Sequence, residues 1–340
     1  MTEHNIQLTS AEIACIWTSY MNDSMSKCVL DYFLKDVGDN EIKSVIQFAY
    51  DISSTHLEKL TTIFNKEQIP IPTGFTNEDV NMNAPRLYTD PFMLIYINHM
   101  AKLGLLGYSG FVSMSARDDM RAYYREALIE TSELFERSSK VLLSKGLFVR
   151  APYIAYPTLT DYVDSKKYLS GTSIFSKQRP LNAIEISHLY MNIQTNTIGS
   201  KLSISFAQTS SSEIVQKWML RGRDISKKHA QLFAKALLNN DIQSPVSSDI
   251  AITDSTTPPF SDKLTMFHMG FMSAAGTGNY ATAAAASQRT DLIINYERLS
   301  LEIAQYAKDG ADIMIKHEWM EQPPTTLDKN KLTKEKNINI

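Results

Sequence analysis

The chain has 340 residues, a formal net charge of −3 and a hydrophobic fraction of 43%, which is ordinary for a soluble globular protein. A chain of this length exceeds one typical domain core, so two domains are expected. Residues 1–170 carry 16 Lys and Arg against 21 Asp and Glu, and residues 171–340 carry 18 against 16, so neither half has the basic excess that nucleic-acid binding requires.

The first predicted helix begins at a capping box. The Thr9 hydroxyl can accept a hydrogen bond from the backbone three residues on, and the Glu12 carboxylate can reach back to the Thr9 backbone. Apolar residues then recur at helical spacing from Ile13 to Tyr32, and Gly38-Asp39-Asn40 breaks the run. We therefore expect one long helix between Thr9 and Gly38.

Both cysteines of the chain fall on this helix. At a rise of 1.5 Å per residue Cys15 and Cys28 lie ~20 Å apart, so they cannot form a disulfide with each other. Free thiols are typical of a reducing compartment. The residues from Met1 to Gln7 lack the charged-then-apolar pattern of a signal peptide. A cytoplasmic location is predicted.

A second helix, with His56 on its inward apolar stripe, is followed by a long connection at residues 69–89. The connection contains Pro70, Pro72 and Pro85 and shows no periodicity. Long connections without secondary structure are uncommon unless they have a role. A helix of about 28 residues is ~42 Å long, and this connection can extend to roughly 70 Å. It can therefore run the length of a bundle and start the third helix at the same end as the second, as in ferritin-like bundles.

The third helix is predicted to begin near Asp90-Pro91, with proline in the first turn where it is tolerated. It contains the most membrane-like stretch of the chain, residues 92–112. Because this stretch includes Asn98, His99 and Lys102, we interpret it as a buried helix and expect no membrane partner. A fourth helix is predicted from about Met120 to Lys145.

Three glycines, Gly104, Gly107 and Gly110, lie inside the third helix, where each costs ~1 kcal/mol relative to alanine. Glycine permits another helix or a ligand to approach the backbone closely. We interpret these positions as close helix packing, with ligand contact as the alternative.

Residues 1–150 thus form a first bundle, and residues 151–180 form a linker rich in aromatic residues. Disordered linkers are poor in aromatic residues, so we expect these rings to pack against the bundles. The aromatic residues around and within the linker are Phe148, Tyr153, Tyr156, Tyr162, Tyr168 and Phe175.

The unit then repeats over residues 181–324. Asp51–His56 recurs as Asp224–His229 at an offset of 173 (229 − 56), and Asn182 stands where Thr9 caps the first unit. The duplication predicts an all-α fold of two tandem ferritin-like four-helix bundles, followed by a disordered tail at residues 325–340. Later positions recur at an offset of 172, pairing Gly104, Tyr108 and Glu130 with Gly276, Tyr280 and Glu302.

Ferritin-like di-metal sites use a Glu from each of two helices and a Glu-x-x-His motif from each of the other two. Here Ser53 and Ser226 stand three residues before the recurring histidines, so the motif is absent. We interpret Glu12 and Glu185 as helix caps that also pair with Arg117 or Arg289. A cofactor is therefore not predicted, and a transition metal ion in a degenerate site is the alternative.

Other catalytic motifs are also missing from the sequence. No glycine-rich loop follows a strand pattern, and no Ser or Cys is flanked as an activated nucleophile. A non-catalytic protein is predicted.

In a bundle whose helices run up, down, down and up, His56 lies at the level of Gly104 and Glu130. We therefore predict that His56 meets Glu130, and His229 meets Glu302, directly or through one water, because a buried imidazole needs partners for both nitrogens. One interpretation is a core histidine that sets the helix register, and the other is a remnant ligand or metal site. The candidate ligand-binding residues are His56, Gly104, Tyr108, Glu130, His229, Gly276, Tyr280 and Glu302.

Several segments resemble a family of tandem-repeat proteins from endospore-forming bacilli, known only as a domain of unknown function. They include Arg150-Ala-Pro-Tyr-Ile-Ala-Tyr-Pro157, Asp254-Ser-Thr-Thr-Pro-Pro-Phe-Ser-Asp-Lys263 and Trp319-Met-Glu-Gln-Pro-Pro324. The resemblance covers nearly the whole chain and implies two ferritin-like bundles. Some relatives are labelled spore coat proteins by analogy with coat protein F, and the resemblance supplies no catalytic residues.

Two functions follow as hypotheses. The first is a structural or interaction protein of the spore-forming cell, which is spore-associated and has other spore proteins or copies of itself as partners. The second is a ferritin-like protein that binds a metal ion or a small ligand in the bundle core.

Overall fold

In a computed structural model, the chain is described over residues 6–170, 178–244 and 251–334. These residues form nine α-helices and two short 3₁₀ turns, and their only β pairing is two isolated bridges. The predicted all-α class is confirmed. The helices of the first unit are α1 (Ser10–Asp36), α2 (Asn40–Lys66), α3 (Asp90–Met114) and α4 (Asp118–Ser144). The helices of the second unit are α5 (Ala183–Thr209), α6 (Glu213–Leu238), α7 (Asp262–Ala286) and α8 (Thr290–Lys316), and α9 (Lys329–Lys334) follows them.

The helix boundaries repeat with the sequence. The starts of α1 and α2 recur in α5 and α6 at an offset of 173, and those of α3 and α4 recur in α7 and α8 at 172. Within the first unit α1 packs on α2, α3 packs on α4, and α2 contacts both α3 and α4. In the second unit α5 packs on α6 and α7, and α8 packs on α6 and α7. The chain is thus one four-helix unit built twice, as the duplication predicted.

Both units begin at a capping box, as predicted for the first. Thr9 and Glu12 cap α1, and Asn182 and Glu185 cap α5. These residues satisfy backbone donors that a helix start otherwise leaves unpaired.

Both glutamates meet the predicted arginines, but through the backbone N–H groups of Arg117 and Arg289 rather than through their guanidinium groups. Glu12 accepts from the backbone N–H groups of Ala116 and Arg117, at 2.9 and 2.7 Å, rather than from a guanidinium. Its counterpart Glu185 binds the guanidinium of Arg179, not that of Arg289. The carboxylates sit where the turn before α4 or α8 presents its own unpaired N–H groups, which explains the backbone contacts.

The connection between α2 and α3 runs the length of the bundle. Its first residues lie near the start of α1, where Ile69 packs with Cys15 and Phe64. At its far end the Asp90 carboxylate accepts from the backbone of Asp39 at 2.9 Å. The second and third helices therefore start at the same end, which confirms the predicted crossover.

The crossover connections of the two units pair with each other. Val80 forms an antiparallel bridge with Phe260, and Tyr88 forms one with Ile252. Since Val80 and Ile252 are equivalent in the repeat, as are Tyr88 and Phe260, the two bridges exchange under an approximate twofold rotation. The hydroxyl of Tyr96 and Nε2 of its equivalent, His268, are 3.2 Å apart, so this position lies at the axis.

One apolar core joins the two units around this axis. The ring of Tyr32 packs edge-on against Phe260 with centroids 5.2 Å apart, and Tyr88 lies 2.7 Å from Ser205 through their hydroxyl oxygens. Residues from both units belong to the same buried cluster. The units are therefore packed together rather than strung along a linker.

The linker departs from its prediction. Tyr153, Tyr156 and Tyr162 are 85%, 92% and 90% exposed, so the expectation that they pack against the bundles was wrong. The chain from residue 151 to 165 has no regular secondary structure, and no common face gathers these rings against the helices. Phe148 does pack on the core, and the Arg179 guanidinium stacks over Tyr168 at 4.1 Å.

Some expectations fall outside or at the edge of the described residues. The ring of Phe175 and residues 335–340 of the tail lie outside them. The part of the tail that is described contains α9. No helix among the described residues combines the length and apolar character needed to cross a bilayer.

Candidate functional site

The recurring histidine of the first unit is buried among three polar side chains. His56 is 1% exposed, and its Nε2 lies 2.9 Å from the Glu130 carboxylate, so the predicted contact is present and direct. On the other side, Nδ1 lies 3.3 Å from the Tyr108 hydroxyl and 3.4 Å from the Asp23 carboxylate. Helices α1, α2, α3 and α4 each contribute one of these residues.

These neighbours set the charge of the ring. Burial disfavours the charged form of His56, but the carboxylates of Asp23 and Glu130 outweigh it and raise the pKa to about 9. The hydrogen bond from His56 in turn holds the pKa of Glu130 below its ordinary value. At neutral pH the ring is therefore an imidazolium that donates from Nε2 to Glu130 and forms an ion pair with Asp23 on its other side.

The second unit repeats the histidine but not its charge. His229 lies 3.0 Å from both the Tyr280 hydroxyl and the Glu302 carboxylate. Burial lowers the pKa of His229, and Glu302 only partly offsets it, because Lys228 also binds that carboxylate at 2.7 Å. Its imidazole is therefore neutral at neutral pH.

One substitution between the units accounts for much of this difference. The position of Asp23 is taken by Asn196, whose amide donates to the Tyr280 hydroxyl at 2.7 Å. An amide supplies no negative charge to hold a proton on the neighbouring ring. The first unit thus keeps a buried ion cluster where the second has a neutral hydrogen-bond chain.

Sequence reasoning missed Asp23, although a signal was available. Ile16, Asp23 and Leu30 follow one another at a spacing of seven, which places a carboxylate on the apolar face of α1. The repeat directed attention to residues shared by both units, and Asp23 is not shared.

The glycines of α3 and α7 divide into two groups. A Cβ on Gly104 would meet the Thr131 methyl group at 2.9 Å, so this glycine does permit close helix packing. A Cβ on Gly276 would lie 3.7 Å from Ile303, an ordinary contact. Nothing lies within 4 Å of a Cβ added to Gly107 or Gly110, so the packing interpretation was wrong for those two.

The residue Gly107 instead opens onto a cavity. A partly open space of about 190 Å³ lies between the four helices of the first unit, and Phe271 of α7 closes part of it. Its walls are mostly apolar, and Asp23, Gly104, Gly107 and Tyr108 all line it. His56 and Glu130 stand behind Asp23 and Tyr108 and hold them in place.

The second unit fills the corresponding region. The rings of Trp218 and Tyr306 stack there at a centroid distance of 4.2 Å, and Tyr306 reaches the backbone of Gly222. The equivalents of the two stacked residues in the first unit are the smaller Val45 and Leu134. Of these two residues Leu134 lines the cavity, so the smaller side chain at this position leaves part of the space that Tyr306 fills in the second unit.

The arrangement of possible ligands bears on the alternative of a degenerate metal site. Within the described ranges, no group of three or more His, Cys, Asp or Glu residues is arranged to hold a metal ion. Cys15 and Cys28 are buried and free, and burial raises the pKa of their thiols to about 11 and about 12. Thiols held in the protonated form are poor ligands. Whether the eight candidate residues bind a ligand stays a prediction.

Comparisons with known proteins agree with the repeat. The family described as "Protein of unknown function (DUF3231)" matches the chain twice, over residues 1–159 and 169–332. A solved structure described as a putative spore coat protein from Bacillus halodurans is 17% identical, with 45% of this chain and 98% of that chain covered and a TM-score of 0.40. No curated protein shows significant similarity. The two matched regions correspond to the two helical units.

Proposed function

The chain belongs to the DUF3231 family of proteins of unknown function, and we propose that it is a non-catalytic binding protein whose first unit takes up a small, largely apolar molecule. The observation that carries the proposal is a buried carboxylate, Asp23, on the wall of an apolar cavity. The second unit has an amide at the same position and a filled core.

The cavity limits the size and chemistry of the molecule. If each non-hydrogen atom needs roughly the 15 Å³ that one water requires, about a dozen atoms fit. Apolar walls favour a hydrocarbon or aromatic body, and Asp23 accepts hydrogen bonds, so the molecule should carry a donor or a positive charge. A compact amine with an aromatic ring meets both conditions.

The same lining favours binding over reaction. Apart from Asp23, the ionisable residues that line the cavity are the tyrosines Tyr96 and Tyr108, and burial raises the pKa of both hydroxyls. Neither forms the nucleophile and base pair that covalent catalysis needs. The proposed role requires no metal.

Titration calorimetry with tryptamine, an indole-bearing primary amine, tests the proposal. We expect saturable binding to the native protein and to Gly110→Leu, because Gly110 does not line the cavity. Gly107→Leu places its side chain in the cavity without a backbone clash and should abolish binding. Equal binding by Gly107→Leu, or a preference for the anionic analogue indole-3-acetate, would overturn the proposal.

A second candidate function is assembly in the spore-forming cell. The exposed rings of Tyr153, Tyr156 and Tyr162 favour it, because exposed aromatic side chains are enriched at protein interfaces. The spore association itself rests on the sequence resemblance. Cross-linking in sporulating cells, followed by immunoblotting of spore extracts, should capture adducts with a spore protein or a second copy. Replacement of the three tyrosines by serine should remove those adducts, and their persistence would reject this surface.

A further inference from the structure

A second pocket lies between the two units, away from the cavity of the first. It has a volume of about 70 Å³ and is formed by α3, α5, the end of α4 and residues 147–149 after it. Its apolar walls include Phe92, Ile95, Phe148 and Ile193. The polar groups that reach it are unusual for a buried junction between helices.

The histidine at this pocket has an unmet hydrogen-bonding requirement. His99 is 5% exposed, and within the described structure its buried Nε2 has no hydrogen-bond partner. Burial and the nearby charge of Lys102 lower its pKa to about 3, so the ring is neutral. Buried polar atoms without a partner are rare in native proteins, and each calls for an explanation.

Two lysines approach the same pocket. Lys102 lies one turn beyond His99 on α3, and its Nζ is 3.4 Å from the Gln194 side-chain oxygen. Burial lowers the pKa of Lys102, as expected where an ammonium lacks a nearby anion. Lys201 also lines the pocket, from α5.

This polar set occurs at only one of the two equivalent junctions between the units. The repeat places Phe271 and Ala274 at the positions of His99 and Lys102, and Cys28 at the position of Lys201. The basic pocket is therefore not required by the helical frame, because the same frame is built without it on the other side.

We propose that this pocket binds a short-chain carboxylate between His99 and Lys102. The carboxylate would accept from His99 Nε2–H and the Lys102 ammonium, and its alkyl chain would lie against Ile95 and Ile193. At roughly 15 Å³ for each non-hydrogen atom, about five atoms fit, which is the size of propionate and one atom short of butyrate. The site is separate from the cavity of the proposed function.

Calorimetry with butyrate, and with neutral butyramide as the matched control, tests the site. We expect saturable butyrate binding, at least tenfold weaker in Lys102→Ala and His99→Phe, and no measurable butyramide binding. Both variants install the residue that the other unit carries, so the packing has a precedent in the same fold. Nuclear magnetic resonance should also show the His99 ring signals shifting on butyrate addition.

Specific results would overturn the proposal. They are an absence of saturable butyrate binding to folded protein, equal binding of butyramide, stronger binding of inorganic phosphate, or unchanged affinity in Lys102→Ala. If His99→Phe does not fold, Lys102→Ala and the His99 signals still decide the outcome. Gly107→Leu should bind butyrate normally, so failure of this site and failure of the proposed tryptamine site are distinguishable.

Discussion

Replacement of Asp23 by Asn gives the first unit the residue of the second and should remove the charge from His56. The carboxyl groups that face this ring are Asp23 on α1 and Glu130 on α4. With Asp23 neutral, burial opposes only one carboxylate, so we expect the pKa of His56 to fall from about 9 to near or below its ordinary value of 6.5.

The stability consequence follows from the direction of the shift. A folded-state pKa above the unfolded value stabilises the protein fully below pH 6.5, and this stabilisation is lost as the pH rises through about 9. A rise from 6.5 to about 9 corresponds to about 3 kcal/mol, at ~1.36 kcal/mol per pH unit. Asp23→Asn should therefore cost most near pH 6 and progressively less toward pH 10.

Urea denaturation of both proteins from pH 6 to pH 10 measures this difference. Asp51→Asn is the matched control, since it removes one carboxylate from the exposed surface of α2 and should leave the pH dependence unchanged. The reciprocal change Asn196→Asp should raise the pKa of His229, observed by nuclear magnetic resonance. A His56 pKa at or below 6.5 in the native protein, or a destabilisation by Asp23→Asn that is independent of pH, would refute the reasoning.

Three further predictions concern glycines, thiols and metal content. Gly107→Ala should raise the free energy of unfolding by about 1 kcal/mol, because it replaces a helix-interior glycine at a position with open space around it. Gly104→Ala should lower the free energy of unfolding, because the added methyl group would press against Thr131. Thermal denaturation distinguishes the two variants. A thiol reagent should modify Cys15 and Cys28 only after denaturation, since both are buried and their thiol pKa values are raised, and rapid labelling of the native protein would contradict this. Elemental analysis of natively purified protein should find no stoichiometric transition metal, and about two metal ions per unit would instead favour a metal site.

Local features of the sequence were sufficient for much of the fold. The capping boxes at Thr9 and Asn182 mark where two helices begin, and the spacing of apolar residues marks which helix faces are buried. The contact between His56 and Glu130 also followed from simple geometry, because helix rise and connection length determine which residues share a level.

The cavity and the charge of His56 depend on how side chains from several helices pack together, which local sequence patterns do not show. Leu134 lines the cavity where the second unit has the larger Tyr306, and such an effect of side-chain size appears only when four helices are packed together. The prediction that the aromatic rings of the linker are buried failed for a related reason. Aromatic composition indicates a tendency to be buried, but burial also needs a surface that is still unoccupied.

The axis between the two units has an evolutionary consequence. In a dimer of identical chains, a residue on the twofold axis must be compatible with its own copy, and every change is made twice. Within one chain that requirement is lifted, so Tyr96 can face His268, a pair of unlike residues at one equivalent position. Covalent linkage also keeps the partner at high effective concentration while either half changes. The repeat within one chain therefore permits the two halves to differ, as they do at Asp23 and Asn196.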